Sequence, residues 1–68
     1  MTGAEESIVR ALRRVVTNRE NHSFLDGLRM GEPIDERQRR QLLRLAWQVR
    51  NRLPADIVVL AALKGAAA

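Results

Sequence analysis

The chain has 68 residues, no cysteine and one histidine, and its formal net charge at pH 7 is +4 with a sequence pI near 11.4. This length allows one domain at most, and the lack of cysteine excludes a disulfide scaffold and any cysteine-based zinc or redox site. A domain this small buries only about 60% of its unfolded surface, so we expect it to be stabilised by self-association or by a partner.

The first predicted helix covers about residues 3–18. Thr2 and Glu5 have the spacing of a capping box, in which each side chain accepts a hydrogen bond from the other residue's backbone. Polar residues at 18–21 indicate the end of this helix. Its apolar face consists of residues at helical spacing, namely Ile8, Ala11, Leu12, Val15 and Val16.

A short second helix is predicted over about residues 23–30, where Phe24 begins a group of apolar residues at near-helical spacing. Asn21 or Ser23 is suited to cap its start, because a short polar side chain can accept a hydrogen bond from a free N–H of the first turn. Gly31 lies just past the predicted end and is suited to cap the carboxyl end.

The third predicted helix covers about residues 36–52 and is rich in arginine. Asp35 and Gln38 form a second potential capping box directly after Pro33, which interrupts the preceding segment. One apolar stripe runs along this helix and contains Leu42, Leu45, Ala46, Val49 and Leu53.

The fourth predicted helix covers about residues 54–64, with Pro54 as its first residue and Gly65 as its C-cap. Its central run, residues 57–63, is apolar on every side and could also form a buried strand. We favour a helix because no second strand signal exists to pair with it. Two amphipathic helices cannot easily enclose this run in a monomer, so we predict a two-fold interface formed by Ile57, Val58, Leu60 and Ala61.

These elements predict an all-α fold, a compact bundle of three to four helices in a single domain over residues 1–68, completed by dimerisation. The longest apolar run, residues 57–63, is much shorter than the roughly 20 residues of a membrane span. The acidic residues near the start of the chain are unlike a signal peptide. We therefore expect a cytoplasmic homodimer that does not enter a membrane.

Trp47 is the single tryptophan of the chain, and it lies on the charged side of the third helix. At about 100° per residue, it is roughly 140° away from Leu42 on the apolar stripe. A tryptophan surrounded by arginines has the composition of a protein interaction hot spot. We therefore predict a contact surface for a macromolecular partner, formed by Trp47, Leu43, Arg40, Arg44 and Arg50, with Arg39 also at its edge.

Three other interpretations of this helix remain open. The arginines could be solvated or paired with acids such as Glu36. Trp47 could be a core residue covered by the Phe24–Met30 segment. The helix could also bind nucleic acid, with phosphates contacted by Arg37, Arg40 and Arg44 and bases contacted by Gln48 and Asn51, together with Gln38 and Gln41.

Catalytic chemistry has little support in the sequence. His22 and Ser23 are neighbours whose side chains diverge, and no acid at a useful spacing orients the imidazole. The acid pairs at 5–6 and 35–36 are interpreted as first-turn residues that favour the helix dipoles, so they are not assigned to a metal site. We predict no enzymatic activity, no cofactor, no metal and no small-molecule substrate.

The predicted function is that of a small helical interaction protein, a regulator, inhibitor or accessory subunit, whose partner is a protein; nucleic-acid binding through the third helix is the alternative. Small size and high arginine content are also compatible with an accessory protein of a phage or mobile element.

Overall fold

The computed structural model describes residues 1–29 and 31–67, with side chains up to residue 65. The elements in chain order are α1 (Gly3–Val15), α2 (Arg19–Asp26), α3 (Glu36–Gln48), a 3₁₀ turn (Arg50–Arg52) and α4 (Ala55–Ala67). No strand occurs in the described part of the chain, so the predicted all-α class is confirmed. Residues 57–63 are helical, which removes the strand interpretation of that run.

Both predicted capping boxes are present and set the starts of α1 and α3. The Thr2 hydroxyl accepts from the Glu5 N–H at 3.2 Å, and the Glu5 carboxylate accepts from the Thr2 N–H at 2.8 Å. In α3, the Asp35 carboxylate accepts from the Gln38 N–H at 2.7 Å, and the Gln38 amide oxygen accepts from the Asp35 N–H at 3.1 Å. These local hydrogen bonds satisfy N–H groups that the first turn leaves unpaired.

The second helix lies earlier in the chain than the predicted range 23–30. Its N-cap is Asn18, whose side-chain oxygen accepts from the N–H groups of Glu20 at 2.7 Å and Asn21 at 3.4 Å. Asn21 and Ser23, the predicted caps, therefore lie inside α2. The prediction failed because residues 18–21 satisfy the rules for the end of one helix and for the start of the next.

The turns that flank α2 also differ from the predicted boundaries. α1 ends at Val15 instead of residue 18, because Val16 has an extended backbone with φ −73° and ψ 139°. Met30, the predicted last residue of the second helix, lies outside the described residues. Gly31 does not cap α2; it has a φ of 83°, a left-handed conformation that glycine adopts without steric cost, and it belongs to the turn that precedes α3.

The junction between α3 and α4 is wound more tightly than predicted. α3 ends at Gln48, and the chain continues as the 3₁₀ turn to Leu53, which is extended with φ −92° and ψ 150°. A residue that precedes proline is driven out of the helical region, and Pro54 follows here. α4 begins at Ala55 and continues past Gly65 to Ala67, so the predicted glycine C-cap is wrong.

The core is formed mainly where α4 packs against α3 and α1, with α2 packed against α1. Ile57 and Ala61 of α4 are buried in this core, while Val58 and Leu60 are partly buried against it. The predicted dimer interface therefore coincides with surface that the monomer already covers, because α1 and α3 enclose one side of α4. The buried apolar residues are Ile8, Val9, Leu12, Val16, Leu25, Leu28, Leu42, Leu45, Ala46, Leu53, Ile57 and Ala61.

A different side of α4 stays exposed. Val59 and Leu63 are 57% and 63% exposed and are large apolar residues without cover.

Within the residues that the structure describes, no helix combines the length and the apolar composition that crossing a membrane requires.

Replacing Asn18 with alanine is expected to destabilise the fold by about 1 kcal/mol, because two N–H groups of α2 lose their acceptor. In a domain of this size that corresponds to a melting temperature lower by about 4–8 °C. Thermal unfolding followed by circular dichroism measures the effect. Asn51→Ala, at an exposed position of the 3₁₀ turn, is the matched control, and an equal decrease in both variants would contradict the capping role of Asn18.

Candidate interaction surface on the third helix

The positive charge of the protein is concentrated in one segment. Residues 36–52, which comprise α3 and the 3₁₀ turn, contain six of the twelve basic residues and one of the eight acidic residues. This segment has a formal charge of +5, and the rest of the chain has a formal charge of −1. The net charge therefore belongs to α3 and the turn after it, and the other helices are close to neutral in sum.

One arginine of α3 faces inward. The Arg39 Nε donates to the Glu5 Oε2 at 2.8 Å, and Glu5 is only 1% exposed. Arg39 also lies 3.5 Å from the carboxylate of Glu36. This ion pair joins α3 to the start of α1, so Arg39 is a structural residue and not the edge of a contact surface. The sequence interpretation of Glu5 as a simple first-turn acid missed this role.

The environment of Glu5 keeps its carboxyl group ionised. Burial alone would raise the pKa of Glu5, but hydrogen bonds from Thr2 and from the Arg39 guanidinium, together with the positive charge of Arg39, outweigh burial and lower the pKa. The ion pair between Glu5 and Arg39 also raises the pKa of Arg39. The negative charge of the buried Glu5 carboxylate is therefore stabilised by the hydrogen bonds from Thr2 and by the guanidinium group of Arg39.

Trp47 is 52% exposed, so the interpretation of Trp47 as a core residue is wrong. The guanidinium carbon of Arg50 lies 4.5 Å from the centroid of the indole ring. The Arg50 Nη1 also donates to the Trp47 carbonyl oxygen at 2.8 Å. Arg50 therefore covers one face of the ring and is itself fixed by a hydrogen bond to the backbone.

Leu43 lies one helical turn before Trp47, on the same side of α3. It is partly buried and packs against the core. Arg40, on the other flank, is exposed and lies 3.5 Å from the carboxylate of Glu36. We call the surface formed by Leu43, Trp47, Arg40 and Arg50 the Trp47 strip. It contains four of the five residues predicted to bind a partner. The fifth, Arg44, lines a neighbouring groove.

A groove of about 460 Å³ lies between α2 and α3, and we call it the α2–α3 groove. Six polar or charged side chains and one apolar side chain line it, and none of them is acidic. Arg40 is shared between the groove and the Trp47 strip. The lining residues are Asn21, Arg37, Arg40, Gln41, Arg44, Leu45 and Gln48.

The groove contains five of the seven residues predicted as nucleic-acid contacts. They are Arg37, Arg40, Gln41, Arg44 and Gln48, whereas Asn51 lies in the 3₁₀ turn outside the lining. Asn21 was missed as a lining residue, since the sequence placed it at the start of a helix and gave no signal that α2 would face α3. Gln38, a further predicted base contact, is used in the capping box of α3.

In comparisons with protein-family models, curated proteins and solved structures, no match to this chain was found. The two surfaces on α3 are therefore interpreted from their own chemistry.

Neither surface includes the residues considered for catalysis or for a metal. His22 and Ser23 lie on α2 outside the groove lining, and no group of three or more potential metal ligands occurs among the described residues.

Proposed function

We propose that the protein is a small non-enzymatic interaction protein that binds an acidic protein partner through the Trp47 strip, as a regulator, an inhibitor or an accessory subunit. The observation that carries this proposal is the exposure of Trp47 on α3, with the Arg50 guanidinium stacked over its ring. About half of Trp47 is exposed, whereas the other aromatic residue, Phe24, packs against the core.

The geometry of the strip favours a strong contact over a small area. Tryptophan and arginine are enriched among the residues that contribute most to binding energy at protein interfaces. Because Arg50 stacks on the indole ring and Leu43 packs against the core, both side chains would lose less conformational freedom on binding than unsupported side chains would. The free face and edge of the ring would insert into an apolar pocket of the partner.

Charge defines the chemistry of the partner. Arg40 precedes Leu43 and Arg50 follows Trp47, so the two arginines lie at opposite ends of the strip, and the segment that contains them has a formal charge of +5. Carboxylates on the partner that surround an apolar pocket would match this arrangement, with arginine forming paired hydrogen bonds to each carboxylate.

Site-specific photo-crosslinking tests this proposal in cells of the natural host. A photoreactive aromatic amino acid is placed at position 47 or, as the control, at Ser23, which is exposed on α2 outside the proposed surfaces. We expect one protein to crosslink through position 47, to persist after nuclease treatment and to be absent with position 23. Crosslinks that are identical at both positions, or that disappear with nuclease, would contradict a protein partner at the Trp47 strip.

We propose that the protein acts in the cytoplasm, which is supported by a sequence without cysteine that suits a reducing compartment. An origin as an accessory protein of a phage or mobile element remains part of this proposal, supported by the small size and the arginine content.

We also propose that the protein forms a homodimer through the exposed side of α4, with Val59 and Leu63 in place of the buried Ile57 and Ala61. Leu63→Lys is expected to convert the dimer to a monomer in sedimentation velocity experiments and to make the melting temperature independent of protein concentration. Ser23→Lys, the same charge change at an exposed position of α2, should leave the dimer intact. A wild-type chain that sediments as a monomer at high concentration would refute the dimer.

A further inference from the structure

The α2–α3 groove borders the Trp47 strip on the side of α2, and the proposed function uses only one of its lining residues, Arg40. We propose that this groove binds the phosphodiester backbone of a nucleic acid without recognising its base sequence. It would be a second site, independent of the Trp47 strip apart from the shared Arg40.

The arginines of the groove are arranged as a row. Arg37, Arg40 and Arg44 follow at intervals of three and four residues and so lie on one side of α3. At 1.5 Å per residue, the row is about 10 Å long. One strand of a duplex has a phosphate about every 3.4 Å along the helix axis, so a row of this length faces about three phosphates.

The charges in the groove are available for an anion. No acidic side chain lines the groove. Among the described residues, Arg37 and Arg44 have no carboxylate within 4.0 Å, while Arg40 shares its charge with Glu36 at 3.5 Å. A guanidinium group presents parallel N–H donors that match two oxygens of one phosphate. The groove therefore places two free guanidinium groups and a third, partly neutralised one beside the same space.

The remaining lining residues indicate which part of a nucleic acid the groove contacts. Asn21, Gln41 and Gln48 supply amide N–H donors that can reach phosphate oxygens from both walls. Leu45 is the one apolar side chain in the lining, and the lining has no aromatic ring on which a base could stack. Asn51, predicted from the sequence to contact bases, lies outside. This composition favours phosphates over base edges, and it offers too little apolar surface for a protein anchor.

Binding of fluorescently labelled nucleic acid, measured by anisotropy at several salt concentrations, tests the proposal. The probes are two 20-base-pair duplexes of unrelated sequence and one single strand of the same length. Three neutralised phosphates give a slope of about −2.7 in a plot of log affinity against log salt, so duplex affinity should decrease about 40-fold between 50 and 200 mM salt. The two duplexes should bind with affinities within about twofold of each other, because phosphate contacts do not depend on sequence. The single strand reports whether a duplex is needed, and its expected slope is about −2.1.

Two double variants separate a site in the groove from general charge attraction. With Arg37 and Arg44 replaced by glutamine, one phosphate contact remains. The affinity for the duplex should then decrease only about 3.5-fold between 50 and 200 mM salt. Replacing the exposed Arg14 and Arg29 with glutamine removes the same charge elsewhere and should leave the slope near −2.7. Circular dichroism of both variants verifies that they fold.

Trp47→Ala should bind duplex like the wild type, and this separates failure of the groove from failure of the Trp47 strip. No binding to any probe at 50 mM salt, equal losses in the two double variants, or tighter binding of polyglutamate than of the duplex would each overturn the proposal.

Discussion

Replacing Trp47 with alanine is expected to weaken binding of the protein partner at least 30-fold, the effect of losing about 2 kcal/mol or more at an interface hot spot. The fold should tolerate the change. Trp47 is 52% exposed, so its removal opens no cavity in the core, and Arg50 loses one stacking contact. We expect a decrease in folding stability of less than about 1 kcal/mol.

Isothermal titration calorimetry with the crosslinked partner, together with thermal unfolding, measures both quantities. Ser23→Ala is the matched control, because it truncates an exposed side chain outside the Trp47 strip, the groove and the proposed dimer surface, and it should change neither by a measurable amount. Trp47→Phe keeps an aromatic ring and should retain part of the affinity. Unchanged affinity in Trp47→Ala would refute the strip as the binding site, and a large loss of stability would show that Trp47 supports the fold.

Replacing Arg39 with methionine is expected to destabilise the fold more than the loss of an exposed ion pair does, because the Glu5 carboxylate would stay buried without its ionic partner. In a domain this small, with a total stability of about 3–10 kcal/mol, such a loss should be readily measured. Chemical denaturation at pH 7 measures the effect. Arg40→Met is the matched control: its pair with Glu36 is exposed, so we expect less than about 0.5 kcal/mol.

The effect of Arg39→Met should depend on pH, and the sign follows from the lowered pKa of Glu5. A group whose pKa is lowered by folding stabilises the fold above its unfolded pKa, about 4.3 for glutamate, and loses that contribution as the pH falls through its folded pKa. In Arg39→Met the carboxylate can protonate more easily, so the difference from wild type should narrow below about pH 4. Glu5→Gln in the Arg39→Met background should recover part of the loss at pH 7, and no recovery would contradict an unpaired charge as the cause.

Helix starts that depend on local hydrogen bonds could be predicted from the sequence. The Thr2–Glu5 and Asp35–Gln38 boxes each involve residues three positions apart, so their spacing alone predicts the bonds that the structure contains. Helix ends were predicted less well. Gly65 is a suitable C-cap locally, but α4 continues through it, and Asn18 could be assigned either to the end of α1 or to the start of α2.

Features that depend on distant residues could not be predicted. Glu5 and Arg39 are 34 positions apart, and helical periodicity assigns each to a face of its own helix without saying which faces meet. The exposed side of α4 could not be predicted for the same reason. The run 57–63 is apolar all round, so the sequence contains no polar side to show that Val59 points outward and Ile57 inward.

The candidate site could be predicted only in part. The angle between Trp47 and Leu42 on the helix predicts that Trp47 points away from the core, and its exposure confirms that placement. The same periodicity places Arg37, Arg40 and Arg44 in one row, which the structure retains. The opposite wall of the groove could not be predicted, because Asn21 faces this row only after α2 has packed against the bundle.

The separation of charge between α3 and the rest of the molecule has a consequence for the speed of binding. With +5 on residues 36–52 and −1 elsewhere, the positive field of the protein is centred on α3, and the proposed acidic partner would be attracted to α3 before contact. Collisions are then oriented productively more often than by chance, which raises the association rate. Added salt should slow association by screening this field over about 10 Å, while dissociation, which would be governed by the contacts of Trp47 with the proposed partner, should stay nearly constant.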